Sequence, residues 1–237
     1  MYEKRFYREI FNNELIKFNV CVGETDLFIG CNQNLEKLTY KAIIQVRKIL
    51  NDYININKHF LTSLVPIYDM NNKHKRIDDM LKAGQKADVG PFAAVAGMVA
   101  EYVGKRLKEQ SEEVFVENGG DIFIDSISDR VVGIYAGDSP LTGKINILLK
   151  KERFPIGVCT SSGTVGPSLS FGKADAVVVI SKNTALADAV ATATCNRIKE
   201  KNDVQNAIEW AYNIKDIEGV IAILGDTLGA IGDIELI

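Results

Sequence analysis

The chain has 237 residues, of which 46% are hydrophobic and 25% charged, and its formal net charge is −3. This is the composition of an ordinary folded protein, and it excludes a disordered, collagen-like or membrane-embedded chain. A weak negative charge gives no long-range attraction for nucleic acid or anionic lipid, so we expect neither as a partner. No apolar run reaches the length of a membrane span and no signal-peptide pattern occurs, which predicts a cytoplasmic location.

The cysteines and histidines limit which metal sites and catalytic mechanisms the chain can be expected to have. The four cysteines are scattered without a C-x-x-C pair, so neither a zinc knuckle nor a redox motif is predicted. The two histidines, His59 and His74, both fall in the N-terminal half of the chain among Asn and Lys residues. This shortage disfavours hydrolase mechanisms that require a histidine base.

The N-terminal third predicts a hairpin followed by a long helix. The turn of the hairpin is Gly23-Glu24-Thr25, and the helix shows apolar residues at every third or fourth position. The elements predicted here are extended segments at 15–22 and 26–31, a helix at 35–55, an edge segment or irregular connector at 61–67 and a short polar helix at 78–81.

The rest of the chain combines small-residue helices with short strands. The helix that begins near Pro91 is dense with Ala and Gly, which lets it approach a sheet or another helix closely. A second helix contains residues 185–193, and a third begins at Asp203. The predicted strands are 114–116, 122–124, 131–136, 145–149, 156–159, 174–180, 220–224 and 228–237.

This order of elements predicts the fold class. The short links between strands favour antiparallel pairing. No Pro/Gly/Ser-rich linker, low-complexity tract or internal repeat divides the chain. We therefore predict one α+β domain over residues 1–237, with long helices packed on a mixed, mostly antiparallel sheet.

The spacing of Asp188 and Thr192 is the strongest chemical signal. On a helix, residues four apart are neighbours on one face, so this carboxylate and this hydroxyl could bind one cation. Both are oxygen ligands of the kind that Mg²⁺ prefers. The alternative is structural: Asp188 takes a surface position, and Thr192 bonds back to the carbonyl one turn earlier.

Two glycine-containing loops are candidate ligand loops. Glu117-Asn118-Gly119-Gly120-Asp121 allows positive φ and close approach to a phosphate or a flavin ring, but it equally suits a tight hairpin. Asp88-Val89-Gly90-Pro91 precedes a helix whose free N–H groups could attract an anion. Spacing alone does not choose between these alternatives.

The hydroxyl-rich loop Thr160-Ser161-Ser162-Gly163 follows a strand and could bind phosphate or ribose, or cap a helix. If one of these hydroxyls were a nucleophile, the base would have to be Lys173 or Asp175. Lys173 is equally consistent with a phosphate ligand or a charge at the end of a strand.

Four motifs occur in order along residues 85 to 196. They are Asp88-Val89-Gly90 with Ala96-Gly97 and Glu101, then Val116-Glu117-Asn118-Gly119-Gly120-Asp121-Ile122, then Gly157-Val158-Cys159-Thr160-Ser161-Ser162-Gly163, then Ala187-Asp188-Ala189-Val190-Ala191-Thr192-Ala193. In this order and spacing they resemble the ApbE superfamily of FAD:protein FMN transferases, and most closely its shorter, uncharacterised branch.

The resemblance implies an ApbE-like fold and an enzyme that uses Mg²⁺ to split FAD at its pyrophosphate and pass FMN to a hydroxyl of an acceptor flavoprotein. It implies that Asp188 and Thr192 are catalytic and bind the metal, with a backbone carbonyl near Gly90 as a third ligand. The residues expected to contact the flavin nucleotide are Gly90, Asn118, Gly119, Gly120, Asp121, Thr160, Ser161, Ser162 and Lys173. Mg²⁺ chemistry on a pyrophosphate needs no histidine.

The chain departs from the family pattern at two places. It has Ala96 where classical members carry a lysine, and residues 166–173 replace a histidine-containing stretch that ends in Asp-Pro. These departures favour an alternative in which the protein keeps the ApbE-like fold and binds a flavin or a phosphate ligand without catalysis. A homo-oligomer is compatible with either function.

Overall fold

Eleven strands and six α-helices make up the part of the chain that the computed structural model describes, residues 15–68, 74–164 and 171–237. The strands are β1 (Ile16–Val22), β2 (Thr25–Cys31), β3 (Val114–Asn118), β4 (Asp121–Asp125), β5 (Arg130–Gly133), β6 (Asn146–Leu149), β7 (Ile156–Ser161), β8 (Ala176–Ser181), β9 (Ile217–Leu224), β10 (Thr227–Gly232) and β11 (Glu235–Leu236). The helices are α1 (Glu36–Ile56), α2 (His59–Thr62), α3 (Lys75–Ala87), α4 (Val95–Lys108), α5 (Thr184–Arg197) and α6 (Asp203–Tyr212), with 3₁₀ turns at Pro91–Ala94 and Lys151–Arg153.

Eight of the strands form one sheet in the order β1-β2-β3-β4-β7-β8-β9-β10. Every neighbouring pair in it is antiparallel. The remaining strands form a small antiparallel sheet in the order β11-β6-β5. The predicted α+β class is confirmed, and the sheet is antiparallel throughout. Tight hairpins join β1 to β2, β3 to β4 and β9 to β10, whereas longer segments connect the other neighbouring strands.

The large sheet separates two hydrophobic cores. On one face, α1, α4, α5 and α6 pack against the strands, and their apolar residues form the larger core with Val116, Phe123 and Val179. The alternate residues of the same strands, such as Ile122 and Val178, point to the other face, where the small sheet covers them. This alternation follows from the two-residue period of a strand.

Helix α5 lies on β7 and β8 at the centre of the helical layer, beside α4 and α6, and α3 packs against it. Eleven of its residues are buried, and they occur on all sides of the helix. A helix that is apolar on every side belongs in a protein interior. Burial of a polar side chain on α5 therefore costs free energy unless a hydrogen-bond partner compensates for it. Asp188 is unusual because it places a carboxyl group in this apolar environment.

The structure differs from the sequence-based expectations at three places. Helix α3 has 13 residues with a buried face, including Ile77 and Met80, and is not a short polar helix. The connector predicted at 61–67 begins inside the helical turn α2, and the last predicted strand is divided into β10 and β11. No helix in the described ranges is long and apolar enough to cross a membrane.

Candidate functional site

Asp188 is a buried carboxylate in the second turn of α5. It is 9% exposed, and its Oδ2 accepts a 2.8 Å hydrogen bond from the backbone N–H of Gly97 in the first turn of α4. The structural alternative of a surface carboxylate is therefore wrong. The N–H groups of a first helical turn have no partner within their helix, so a carboxylate is well suited to accept from them.

Thr192 follows Asp188 by one turn on the same helix and is half-buried. Two residues later, Thr194 Oγ1 donates a 2.7 Å hydrogen bond to the carbonyl of Val190, which is the usual role of a helical threonine. Within the described ranges, Thr192 makes no such bond to the carbonyl of Asp188. Its hydroxyl is therefore available to a ligand near Asp188.

Gly97 allows α4 to approach α5 closely. A Cβ atom at this position would lie 2.4 Å from the carbonyl oxygen of Thr184 and 2.9 Å from Cβ of Asp188. Both distances are shorter than van der Waals contact. Only glycine lets the N–H of residue 97 reach the Asp188 carboxylate, so the small residue is a requirement of the site.

Asp121 brings a second carboxyl group to the same region from the first residue of β4. Its side chain is 6% exposed, and its Oδ1 is buried without a hydrogen-bond partner among the described residues. Burial, and after it the negative charge of Asp188, raise the pKa of Asp121 well above its usual value, although the neighbouring Cys159 thiol and the backbone of Thr160 act in the opposite direction. An unpartnered buried oxygen of this kind is costly unless something else binds it.

Burial also raises the pKa of Asp188, to about 7, although hydrogen bonds from the backbone of Gly97 and Ala96 work in the opposite direction. Two adjacent buried carboxyl groups cannot both be ionised at low cost. A divalent cation between them would offset this cost, since it favours the ionised form of each. The electrostatics of the pair therefore fit a metal with oxygen ligands such as Mg²⁺.

The turn between β3 and β4 borders these carboxyl groups. Gly119 and Gly120 have φ values of 68° and 105°, which L-residues with side chains rarely adopt. Glu117 Oε1 accepts a 2.9 Å hydrogen bond from the N–H of Gly120, and Asn118 Nδ2 donates a 3.1 Å bond to the carbonyl of Ala96. The segment is thus a tight hairpin held against α4, and its role as a ligand loop stays a prediction.

The hydroxyl-rich segment lies at the end of β7, next to this turn. The open side of Gly120 faces Thr160, whose carbonyl oxygen would be 3.6 Å from an added Cβ. Ser161 is the last, buried residue of the strand, and Ser162 Oγ accepts a 3.0 Å hydrogen bond from the N–H of Thr164. The two segments are therefore neighbours at one end of the sheet.

Two of the predicted ligand residues, Gly90 and Lys173, have contacts with other parts of the chain. Gly90 packs against the backbone of Ser63 and Leu64, and an added Cβ would come within 1.7 Å of the Ser63 carbonyl oxygen. Lys173 is exposed, and its N–H donates a 2.8 Å bond to the carbonyl of Ile198. The residues that adjoin Asp188 on the α4 side are Ala96 and Gly97.

The arrangement of Asp175 disfavours the hydroxyl-nucleophile mechanism. Its Oδ2 accepts a 2.7 Å hydrogen bond from the N–H of Gly225, and its Oδ1 a 3.2 Å bond from Thr164. The carboxylate therefore fixes two loops to each other. A general base for Ser161 or Ser162 would have to be free to accept their protons.

Comparison with known proteins decides the family. A family model described as "AbpE bacteria" matches residues 8–227. The chain belongs to this ApbE-like family. A UPF0280 protein of Methanocaldococcus jannaschii is 39% identical to it over 224 residues, covering 92% of this chain and 91% of its own. A UPF0280 protein of Methanobrevibacter smithii is 42% identical over 207 residues, covering 85% of each chain.

Solved structures support the ApbE-like fold. The flavin transferase ApbE from Vibrio cholerae superposes with a TM-score of 0.58 at 12% identity, covering 92% of this chain and 96% of its own. The apo form of the flavinyl transferase ApbE from Pseudomonas stutzeri gives a TM-score of 0.55 at 14% identity, covering 94% and 95%. At such identities the likeness concerns the fold alone.

The structure of the ApbE-like chain adds neighbours that spacing did not predict. Cys159, the register partner of Asp121, is buried, and its thiol donates a 3.4 Å bond to the carbonyl of Thr184. Burial, followed by the charges of Asp121 and Asp188, raises the pKa of this thiol well above its usual value. A correct prediction of the register between β4 and β7 would have revealed that Cys159 lies opposite Asp121.

The described part of this ApbE-like chain contains no cluster of potential metal ligands. Across residues 15–68, 74–164 and 171–237, no three His, Cys, Asp or Glu side chains group around one metal position. A cation here would depend on Asp188 and Asp121 together with the Thr192 hydroxyl and backbone carbonyls or water. Mg²⁺ commonly binds in this way, with one or two carboxylates and substrate phosphates completing its shell.

Proposed function

We propose that this ApbE-like protein binds a flavin nucleotide together with Mg²⁺ and cleaves the pyrophosphate of FAD, releasing FMN or passing it to a protein hydroxyl. The observation that carries the proposal is the Oδ1 of Asp121, which is buried without a hydrogen-bond partner among the described residues, beside the buried Asp188 carboxylate. The flavin transferases that share the fold support the choice of substrate.

Each group would have a separate task. Asp188 and Thr192 would hold the cation, and Asp121 would bind it directly or through water. When bound, Mg²⁺ supplies the positive charge that stabilises a pyrophosphate undergoing cleavage. The turn at Asn118 to Gly120 and the hydroxyls of Thr160 to Ser162 would donate hydrogen bonds to the nucleotide.

The reaction itself needs few protein groups. The oxygen of water or of a protein hydroxyl bonds to the phosphorus on the FMN side, and the bond from that phosphorus to the bridging oxygen breaks. AMP leaves with the bridging oxygen, and the proton of the attacking hydroxyl passes to solvent. Phosphoryl transfer of this kind depends on positioning and charge, which agrees with the shortage of histidines.

One observation favours a second function, binding of a flavin or another phosphate ligand without catalysis. Ala96 stands beside the Asp188 site where the family pattern has a lysine, so one positive charge is missing near the proposed pyrophosphate. A cation at that place would help to stabilise developing negative charge. The absence of this positive charge is expected to lower the rate of pyrophosphate cleavage more than the affinity for the nucleotide.

The test is to incubate the purified protein with FAD and Mg²⁺ and to follow AMP and FMN by chromatography. We expect both products from wild type and neither from Asp188→Asn, with Asp203→Asn as the matched control because Asp203 only caps backbone N–H groups of Lys199 and Glu200. If wild type retains bound FAD but releases no AMP with any divalent metal, the binding function replaces the enzymatic one.

A further inference from the structure

Glu101 forms a second contact between α4 and α5, one helical turn from the contact between Gly97 and Asp188. Its Oε2 accepts a 2.9 Å hydrogen bond from the N–H of Thr184, the first residue of α5. Its Oε1 accepts a bond from Lys105 on α4. Both carboxylate oxygens are therefore engaged, and the side chain is only 11% exposed.

The two contacts are reciprocal. Asp188 on α5 accepts from the first turn of α4, and Glu101 on α4 accepts from the first turn of α5. The partners are four residues apart on each helix and in opposite order, so the helices run antiparallel here. We call the two hydrogen bonds, Gly97 to Asp188 and Thr184 to Glu101, the α4–α5 clasp.

Thr184 is held from three sides at the start of α5. Its N–H is bound by Glu101, and its carbonyl accepts from the Cys159 thiol on β7. The same carbonyl lies in the space that a side chain at residue 97 would fill. Glu101 thus determines how the first turn of α5 sits against both α4 and the sheet, and Asp188 lies one turn further along.

We propose that Glu101 is a positioning residue for the Asp188 carboxylate, acting through the first turn of α5. A carboxylate is favoured at this place because it accepts from a helix N-terminus, where the helix dipole is positive. Removal of the side chain leaves the Thr184 N–H buried and unpaired, which costs more than the hydrogen bond itself. The first turn of α5 then shifts, and the Asp188 oxygen loses its alignment with Gly97.

The effect on metal binding rests on the proposed function, whereas the effect on α5 does not. Groups that orient a metal ligand typically change metal affinity by about 10- to 100-fold when they are removed. Glu101→Ala is therefore expected to weaken Mg²⁺ binding by that factor. Glu101→Gln keeps an acceptor for the Thr184 N–H and is expected to recover most of the affinity.

The experiment combines two measurements on the full chain. The first is the hydrogen-exchange rate of the Gly97 amide by NMR without metal, which reports on the clasp alone. The second is the dissociation constant for Mg²⁺ from isothermal titration calorimetry. The control is Glu113→Gln, because Glu113 is as buried as Glu101 and bonds to Ser126 and Arg130 at the opposite end of β3.

We expect Gly97 to exchange roughly tenfold faster in Glu101→Ala than in Glu113→Gln, since both variants lose stability but only the first substitution opens the clasp. The Mg²⁺ affinity should fall in Glu101→Ala and stay near the wild-type value in Glu113→Gln. An unchanged Gly97 rate, or an Mg²⁺ affinity that falls equally in Glu113→Gln, overturns the positioning role. If wild type binds no Mg²⁺, the proposed function fails, and the Gly97 rate alone decides the role of Glu101.

Discussion

The backbone nitrogen of Gly97 and the Oδ2 of Asp188 are 2.8 Å apart, and this hydrogen bond joins α4 and α5 through two residues that are 91 positions apart in the sequence. It satisfies a first-turn N–H of α4 and holds a carboxylate that burial would otherwise disfavour. The charge of this carboxylate also acts on Asp121, whose pKa it raises.

Gly97→Ala should destabilise the protein and damage the site together. The added Cβ would lie 2.4 Å from the carbonyl oxygen of Thr184, so α4 and α5 must separate. Overpacking of this kind costs about 1–3 kcal/mol in the free energy of unfolding. Urea unfolding measures the cost, and a loss below about 0.5 kcal/mol, typical of a neutral surface change, would contradict the close approach of the helices.

Asp121→Asn should weaken Mg²⁺ binding while it changes stability little. The amide has nearly the same shape as the carboxyl group but lacks the negative charge that would attract the cation. We expect calorimetry to show a loss of affinity of about tenfold or more, equivalent to about 1.4 kcal/mol. Asp125→Asn is the control, since Asp125 lies on the same strand and pairs with Lys108 at 2.8 Å. Equal affinities in the two variants would remove Asp121 from the site.

Thr192→Val and Thr194→Val form a matched pair on one helix. Thr194 bonds to the Val190 carbonyl, whereas the Thr192 hydroxyl is proposed to bind the cation. Saturating Mg²⁺ at about 100 times its dissociation constant stabilises a folded protein by about 2.7 kcal/mol. Thermal unfolding should show this stabilisation in wild type and Thr194→Val and a much smaller one in Thr192→Val. The reverse order would exclude Thr192 as a ligand.

The ionisation of Glu113 should make the free energy of unfolding depend on pH. Burial works to raise its pKa, but hydrogen bonds from Ser126 and Arg130, with the charge of Arg130, lower it below the usual value of 4.5. A lowered pKa in the folded state means that the stabilisation is complete above the unfolded pKa and is lost as pH falls through the folded one.

The comparison of wild type with Glu113→Gln isolates this contribution. At pH 7 the variant should be less stable by about 1–3 kcal/mol, because it leaves Arg130 without its ionised partner. The difference should shrink as pH falls below about 4.5, since the wild-type carboxylate becomes protonated there. Urea unfolding at several pH values gives the difference directly. A difference that is constant with pH would show that the charge of Glu113 contributes nothing.

The sequence predicted those parts of the site that depend on local pattern. The helical spacing of Asp188 and Thr192, and the hairpin between Asn118 and Asp121, follow from short-range rules of helix and turn geometry. The antiparallel pairing of β1 with β2 and of β3 with β4 followed from the short links between these strands. These features need only the residues of one element or of two adjacent ones.

The remaining features depend on contacts between distant segments. The nearness of Asp121 to Asp188 requires the register of β4 with β7 and the packing of α5 on the sheet. Helix α3 was predicted too short because its N-terminal residues, such as Lys75 and Asp78, are charged, although Ile77 and Met80 lie on a buried face. The clasp could not be predicted for the same reason, since it joins residues more than 80 positions apart.

The proposed function requires that Mg²⁺ and the flavin nucleotide share one site at Asp188 and Thr192. The most direct measurement is FAD affinity by fluorescence titration, with Mg²⁺ and with EDTA, for wild type and Asp188→Asn. Because coupling between two ligands is reciprocal, a shared site predicts FAD binding about tenfold tighter with Mg²⁺ in wild type and no such difference in Asp188→Asn. FAD affinity that is the same with Mg²⁺ and with EDTA in wild type, or a full Mg²⁺ effect that persists in Asp188→Asn, would contradict the account.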